Sequence, residues 1–140
     1  MTDPLIASGR IATTGLTAQS ARMKVISENL ANAHSTSTVP GGAPYVRKLI
    51  SFEAALDEAT GAQGVRVAGV ERDRSNFKSN FDPGHPAADE KGNVRIPNVS
   101  PLIELADLRE ADRSYQANLE VIRRSRELVD MTIDLLKGSS

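Results

Sequence analysis

The residues of this 140-residue chain whose types could do chemistry are two histidines and the carboxylates near one of them. Within FDPGHPAADEKGNVRIPNVSP, His85 lies close to Asp82, Asp89 and Glu90, a set that could bind a divalent cation or run acid–base catalysis, with His34 as an outlying candidate. The spacing argues against both. The set matches no helical zinc pattern, and His85 stands between Pro83 and Pro86, where a rigid turn is the simpler role. The chain has no cysteine, which excludes disulfides, thiol catalysis and thiolate metal sites. It also lacks a glycine-rich phosphate loop between strand and helix, and a nucleophile elbow. The expectation is a protein that is not an enzyme and takes no metal or cofactor.

The elements that would have to position such residues are mostly helices. Residues 100–136 form one stretch with neither proline nor glycine after Pro101. Ser100 suits the N-cap, Pro101 the first helical position, and Glu104 and Asp107 the positive end of the dipole, while Gly138 supplies a stop. At 1.5 Å per residue this helix would run roughly 55 Å. Its apolar residues recur in sevens: Leu105, Asp112, Leu119, Arg126 and Ile133 on one row, Leu108, Tyr115, Ile122, Val129 and Leu136 on its partner. A further row at Val121, Leu128 and Leu135, flanked by Ala117 and Met131, makes the apolar surface wider than a two-stranded coil needs. Tyr115 reads as seam packing with a partner for its hydroxyl. Asp112 and Arg126 are either solvated at the edge or set register. Glu120 with Arg124, and Arg123 with Glu127, read as exposed i,i+4 pairs of small value.

A second heptad segment spans residues 4–33. Its rows are Gly9, Leu16, Met23 and Leu30, and Leu5, Ala12, Gln19, Ile26 and Ala33. Gly9, Gly15 and several Ser and Thr lower its intrinsic helicity, so it should be frayed unless another apolar stripe covers it. Asn29 and Asn32 mark its polar end and stop. NAHSTSTVPGGAPY is then a loop, and short strands are expected at residues 46–52, 65–73 and 94–96, with an edge or bulge near Gly69. Phe52, Phe77 and Phe81 belong to a small apolar set. Asp82-Pro83-Gly84 has the residues of a type II turn, and Lys91-Gly92-Asn93 of another turn. The fold class is therefore mainly α with a small β-rich central module, the long terminal helices forming a coiled-coil-like pair. Residues 1–33, 34–99 and 100–140 are its three segments, the first and last together making the helical core.

Composition narrows the partners. A net charge of −1 argues against sequence-independent binding to nucleic acid or an acidic membrane. No apolar run reaches the 18 or so residues of a membrane span, so no direct insertion is expected, and MTDPLIASGR does not resemble a secretory signal. Aromatics are only 4% of the chain and Trp is absent, so a thick core built on large anchors is not available. Each terminal stripe needs cover, and the nearest match is the other end of the same chain. One such pairing leaves the extra row open, which marks an interaction site. The competing possibilities are a helical hairpin with all rows internal and a cytoplasmic coiled-coil adaptor.

Particular strings carry a resemblance. LTAQSARMKVISENLANAHST, GGAPYVRK, FDPGHPAADEKGNVRIPNV and RSYQANLEVI, in this order and over nearly the whole chain, resemble the proximal-rod subunits among the flagellar rod and hook axial proteins. NLAN is shared across that wider group, whereas DPGHPAAD, PNV and SYQAN together are specific. Asn93 stands where an aromatic is usual, and Phe81 where Tyr is usual. The resemblance implies terminal helices that are disordered before assembly and pack as the inner core of a helical tube. It implies copies of the chain and other rod proteins of the FlgB, FlgF and FliE types as partners, and passage through the flagellar type III export apparatus. The expected assembly interface is Leu16, Met23, Ile26, Asn29, Leu30 and Asn32 on the first helix. On the last it is Leu105, Leu108, Tyr115, Gln116, Asn118, Leu119, Ile122, Val129, Ile133 and Leu136. Asn29 and Asn32 would lock the turn into neighbouring rod helices, and Gln116 and Asn118 could bond across subunits.

Overall fold

The computed structural model describes residues 3–138. The fold is mainly α, with helix α1 at Pro4–Ala31, helix α2 at Pro101–Gly138, and a small β-rich centre between them. Asp3 opens α1: its carboxylate accepts the Leu5 N–H at 2.9 Å and its carbonyl the Ala7 N–H at 3.0 Å. Ser8, Thr13, Thr14 and Thr17 donate their hydroxyls to carbonyls three or four residues back, so α1 continues through a stretch of low propensity. Asn32 closes it, its side chain donating to the Glu28 carbonyl at 2.9 Å. α2 starts at the proline expected to start it. Its described span ends with Gly138, which is itself helical.

Strands β1, Lys48–Leu56, and β2, Gln63–Arg72, form a two-stranded sheet. β1 runs on past the expected residue 52 to take in Ala54, Ala55 and Leu56. The TGAQG break begins in the connection, where the Asp57 N–H meets the Ala62 carbonyl at 2.8 Å, but its last two residues, Gln63 and Gly64, already belong to β2. Strands β3, Lys78–Phe81, and β4, Asn93–Ile96, pair antiparallel with Lys78 opposite Ile96 and Phe81 opposite Asn93. β3 was not foreseen. All four of its residues are exposed, so it carries no alternation, and Phe81, at 73% exposure, is not the core residue that was expected. Phe81 and Asn93, the two departures from the usual residues, thus face each other across the ladder.

The turn at Asp82-Pro83-Gly84-His85 is closed by the His85 N–H on the Asp82 carbonyl at 3.1 Å. It is not type II, because Gly84 is not among the glycines with positive φ. Gly92 is, at φ 79°, and a Cβ there would stand 2.9 Å from the Phe81 ring, so glycine is required twice over.

The described residues fall into two compact units. The first draws on Met1–Arg22, Ser51–Gly69 and Glu110–Ser140. In it α1 and α2 pack antiparallel along small residues: Ser8 Oγ lies 3.0 Å from Ser125 Oγ, Ala12, Ala18 and Ala111 are buried, and Asn118 fills the space beside Gly15. A Cβ on Gly15 would come within 2.8 Å of the Asn118 side chain, which lets the helices approach closely. The β1–β2 connection docks on α1 through Arg10 and Asp57 at 3.2 Å, and β2 does so through the Val65 N–H on Thr14 Oγ1 at 3.1 Å. The second unit draws on Met23–Ile50 and Val70–Arg109, with Val25, Ile26, Ala33, Ala87 and Val94 buried around two polar side chains, Asn29 and Glu104.

Candidate assembly interface

The faces of α2 differ in chemistry. The inward face follows a four-three alternation through Glu104, Leu108, Ala111, Tyr115, Asn118, Ile122, Ser125 and Val129, all buried or half-buried. Half of these are small or polar. The row of Leu105, Asp112, Leu119, Arg126 and Ile133, expected to lie in the seam, is exposed, Leu119 by 45%. Its charged members are exposed as well, so Asp112 and Arg126 are not buried register residues. Val121, Leu128, Met131 and Leu135 are likewise exposed, Leu128 by 47%, as are Leu136 and Gln116. The helix thus packs a row of small or polar residues beside the row of Leu108, Tyr115, Ile122 and Val129, and leaves two further apolar rows outside.

On α1, Leu16, Met23 and Leu30 are half-buried and Ile26 is buried. Asn118 turns inward, its amide donating to the Ser114 carbonyl at 2.9 Å. Asn32 bonds within its own turn, to the Glu28 carbonyl and to Ser35 Oγ.

Asn29, 1% exposed, uses every hydrogen-bonding position of its amide within its own chain. Nδ2 donates to the Lys48 carbonyl at 2.9 Å and to Glu104 Oε2 at 3.1 Å. Oδ1 accepts the Tyr45 hydroxyl and the Lys48 N–H, each at 2.9 Å. Glu104, also 1% exposed, binds Arg47 Nε with its other oxygen at 2.5 Å. Arg47 reaches on to Asp73 at 3.3 Å and Asp107 at 3.9 Å. Asn98 completes the cluster, accepting the Arg47 N–H at 2.8 Å and donating to the Asp73 and Ser75 carbonyls.

Burial alone would lower the Arg47 pKa, but the Glu104 and Asp73 carboxylates outweigh it and raise it. The Ser75 N–H, with Arg47 behind it, holds the Asp73 carboxyl below its usual value. Burial pushes the Tyr45 hydroxyl up. At the rim Glu28 and Lys48, 2.7 Å apart, stabilise each other's charge, so the carboxyl is lowered and the amine raised. Sequence reasoning placed Glu104 at a helix start without its burial and gave Arg47, Tyr45 and Asn98 no role. The available signal was the heptad row Glu104, Ala111, Asn118 and Ser125, invisible to a search for large apolar residues.

The histidine and carboxylate cluster holds turns. His85 Nδ1 accepts the Ala87 N–H at 3.0 Å, and Asp89 Oδ1 accepts the Lys91 and Asn93 N–H groups at 2.9 Å each. Among the described residues no three His, Asp or Glu side chains come together as metal ligands would, and no helix is long and apolar enough to cross a membrane.

Residues 10–37 match the family described as flagella basal body rod protein, and residues 90–135 the C-terminal family of flagellar basal body rod FlgEFG proteins. The flagellar basal-body rod protein FlgC of Agrobacterium fabrum is 53% identical, over 98% of this chain and 99% of its own. The chain belongs to the FlgC family of flagellar basal-body rod proteins. FlgC proteins of Borreliella burgdorferi and Escherichia coli are 41% and 44% identical, over 96% and 89% of this chain and 99% and 92% of theirs. Membership of the FlgC family makes this a structural rod subunit. The segment matched at the N-terminal end includes Asn29 and Asn32; the one matched at the C-terminal end includes Glu104 and the outward apolar rows.

Proposed function

We propose that this subunit builds the proximal rod, the part of the drive shaft that carries torque through the periplasm, by stacking its terminal helices against those of neighbouring subunits. The observation that carries this reading is the outward face of α2, where Leu105, Leu119 and Ile133, and Val121, Leu128 and Leu135, stand exposed on a helix whose inward face is already packed. The two rows border the packed face on its opposite sides; exposed apolar rows of this kind require cover, and a row that meets a different surface on its neighbour propagates instead of closing. Leu16, Met23 and Leu30 border the interface from α1. Ile26, Asn29, Asn32 and Asn118 support it from within. Family membership supports copies of the chain and rod proteins of the FlgB, FlgF and FliE types as neighbours, and delivery by the flagellar type III export apparatus.

Leu119→Asp and Leu128→Asp test this in a strain lacking the native subunit. Both should abolish rod assembly and motility while the purified chain keeps its circular dichroism. Normal motility in both would overturn the reading. So would a purified chain that forms a closed dimer and no larger species, the behaviour of an adaptor.

A further inference from the structure

Asn29, Arg47 and Glu104 take no part in the outward face, and their bonds are closed within the chain. We propose that these three residues are an intramolecular latch that fixes the end of α1 to the start of α2 in the free subunit, before any neighbour is met. Asn29 has no donor or acceptor left, and both Glu104 oxygens are engaged, at 1% exposure for each residue. A neighbouring chain can neither supply these bonds nor replace them. The helices near this point have little else to hold them. The buried apolar side chains of this unit are Val25, Ile26, Ala33, Pro44, Ala87, Val94 and Pro97, and none of them is aromatic. Directional bonds between buried polar groups therefore specify the pairing where bulk packing would leave it loose.

The bonds also tie the latch to the centre of the chain. Lys48, the first residue of β1, gives both its N–H and its carbonyl to the Asn29 amide, as a backbone neighbour in a sheet would. Arg47 joins Glu104 to Asp73. The helix ends are thus ordered by the central segments of the same chain. All of residues 25–31, 101–109 and 131–138 are helical, but the last are exposed throughout, so the latch divides the terminal helices into ends it holds and a tip whose order depends on neighbours. This holds whatever the subunit assembles with, and it differs from terminal helices that are disordered over their whole length.

Hydrogen exchange with mass spectrometry on the full chain, kept monomeric by dilution, tests it. Amides of residues 26–31 and 104–109 should exchange at least about 100-fold more slowly than those of residues 131–137. Asn29→Leu combined with Glu104→Leu, which keeps bulk and removes every side-chain bond made by Asn29 and Glu104, should erase that difference. Glu104→Gln, which leaves an oxygen for Asn29, should keep protection within about ten-fold of the parent. Uniformly fast exchange at both helix ends in the parent would overturn the latch, as would full protection in the double leucine variant. Should that variant unfold, Tyr45→Phe decides in a folded chain: faster exchange at residues 26–31 supports the latch, and unchanged exchange refutes it.

Discussion

Removing the side chain of Asn29 strands four partners at once: the Tyr45 hydroxyl, both backbone groups of Lys48 and a Glu104 oxygen. An unsatisfied buried polar group is costly, so Asn29→Ala should lower unfolding stability by about 3 kcal/mol in a denaturant titration. Acid acts on the same neighbourhood. The Asp73 carboxyl is held below its ordinary value of 3.8, chiefly by the Ser75 N–H. A depressed carboxyl contributes stability that is present above the ordinary value and is lost as pH falls through the lower folded value. Thermal melts should therefore show stability falling below about pH 4, less steeply in Asp73→Asn. At this scale the sequence was only partly legible. Asn29 could be recognised as a polar residue at a helix end, but its partners lie 16 to 75 residues away, which no local pattern encodes.

Along α2 the heptad was legible and its phase was not. Counting large apolar residues selects the rows of Leu105 and Leu108, whereas the packed face runs through Glu104, Ala111, Asn118 and Ser125 beside Leu108. Close helix contact favours small side chains, and small side chains give no hydrophobic signal. Gly15 makes the point testable. Gly15→Val must displace Asn118 and should cost about 2 kcal/mol in a thermal or denaturant melt, while Gln116→Ala, on the exposed side, should change stability by less than about 0.5 kcal/mol. The sheets show the same division. β1 and β2 were found from their apolar residues, but β3 has four exposed residues and is fixed by pairing with β4 and by the turns at Asp82 and Gly92.

Across the whole molecule, the exposed apolar residues of α2 are combined with a net charge of only −1, so little long-range repulsion opposes association. Light scattering of the purified chain should rise with protein concentration and should not fall when sodium chloride is raised from about 0.1 to 0.5 M, since apolar contacts are not screened. A marked decrease with salt would indicate that ion pairs such as Glu120 with Arg123 and Arg124 hold the contacts instead. Fold class and the need for neighbours were both visible in the sequence, because they follow from composition and periodicity. Of the sides left open on α2, the row of Val121, Leu128 and Leu135 was visible as well, and the row of Leu105, Leu119 and Ile133 was not.

The two-sided chemistry of α2 also bears on which sequences the helix can accept. At Ala111, Asn118 and Ser125 the constraint is volume: a polar replacement of the same size is tolerated and a bulky hydrocarbon is not. At Leu119, Leu128 and Leu135 the constraint is polarity: many hydrocarbons serve and any charge fails. A saturation library selected for swimming would therefore separate one helix into two alphabets, the second read one residue after the packed row at Leu119 and three residues after it at Leu128 and Leu135.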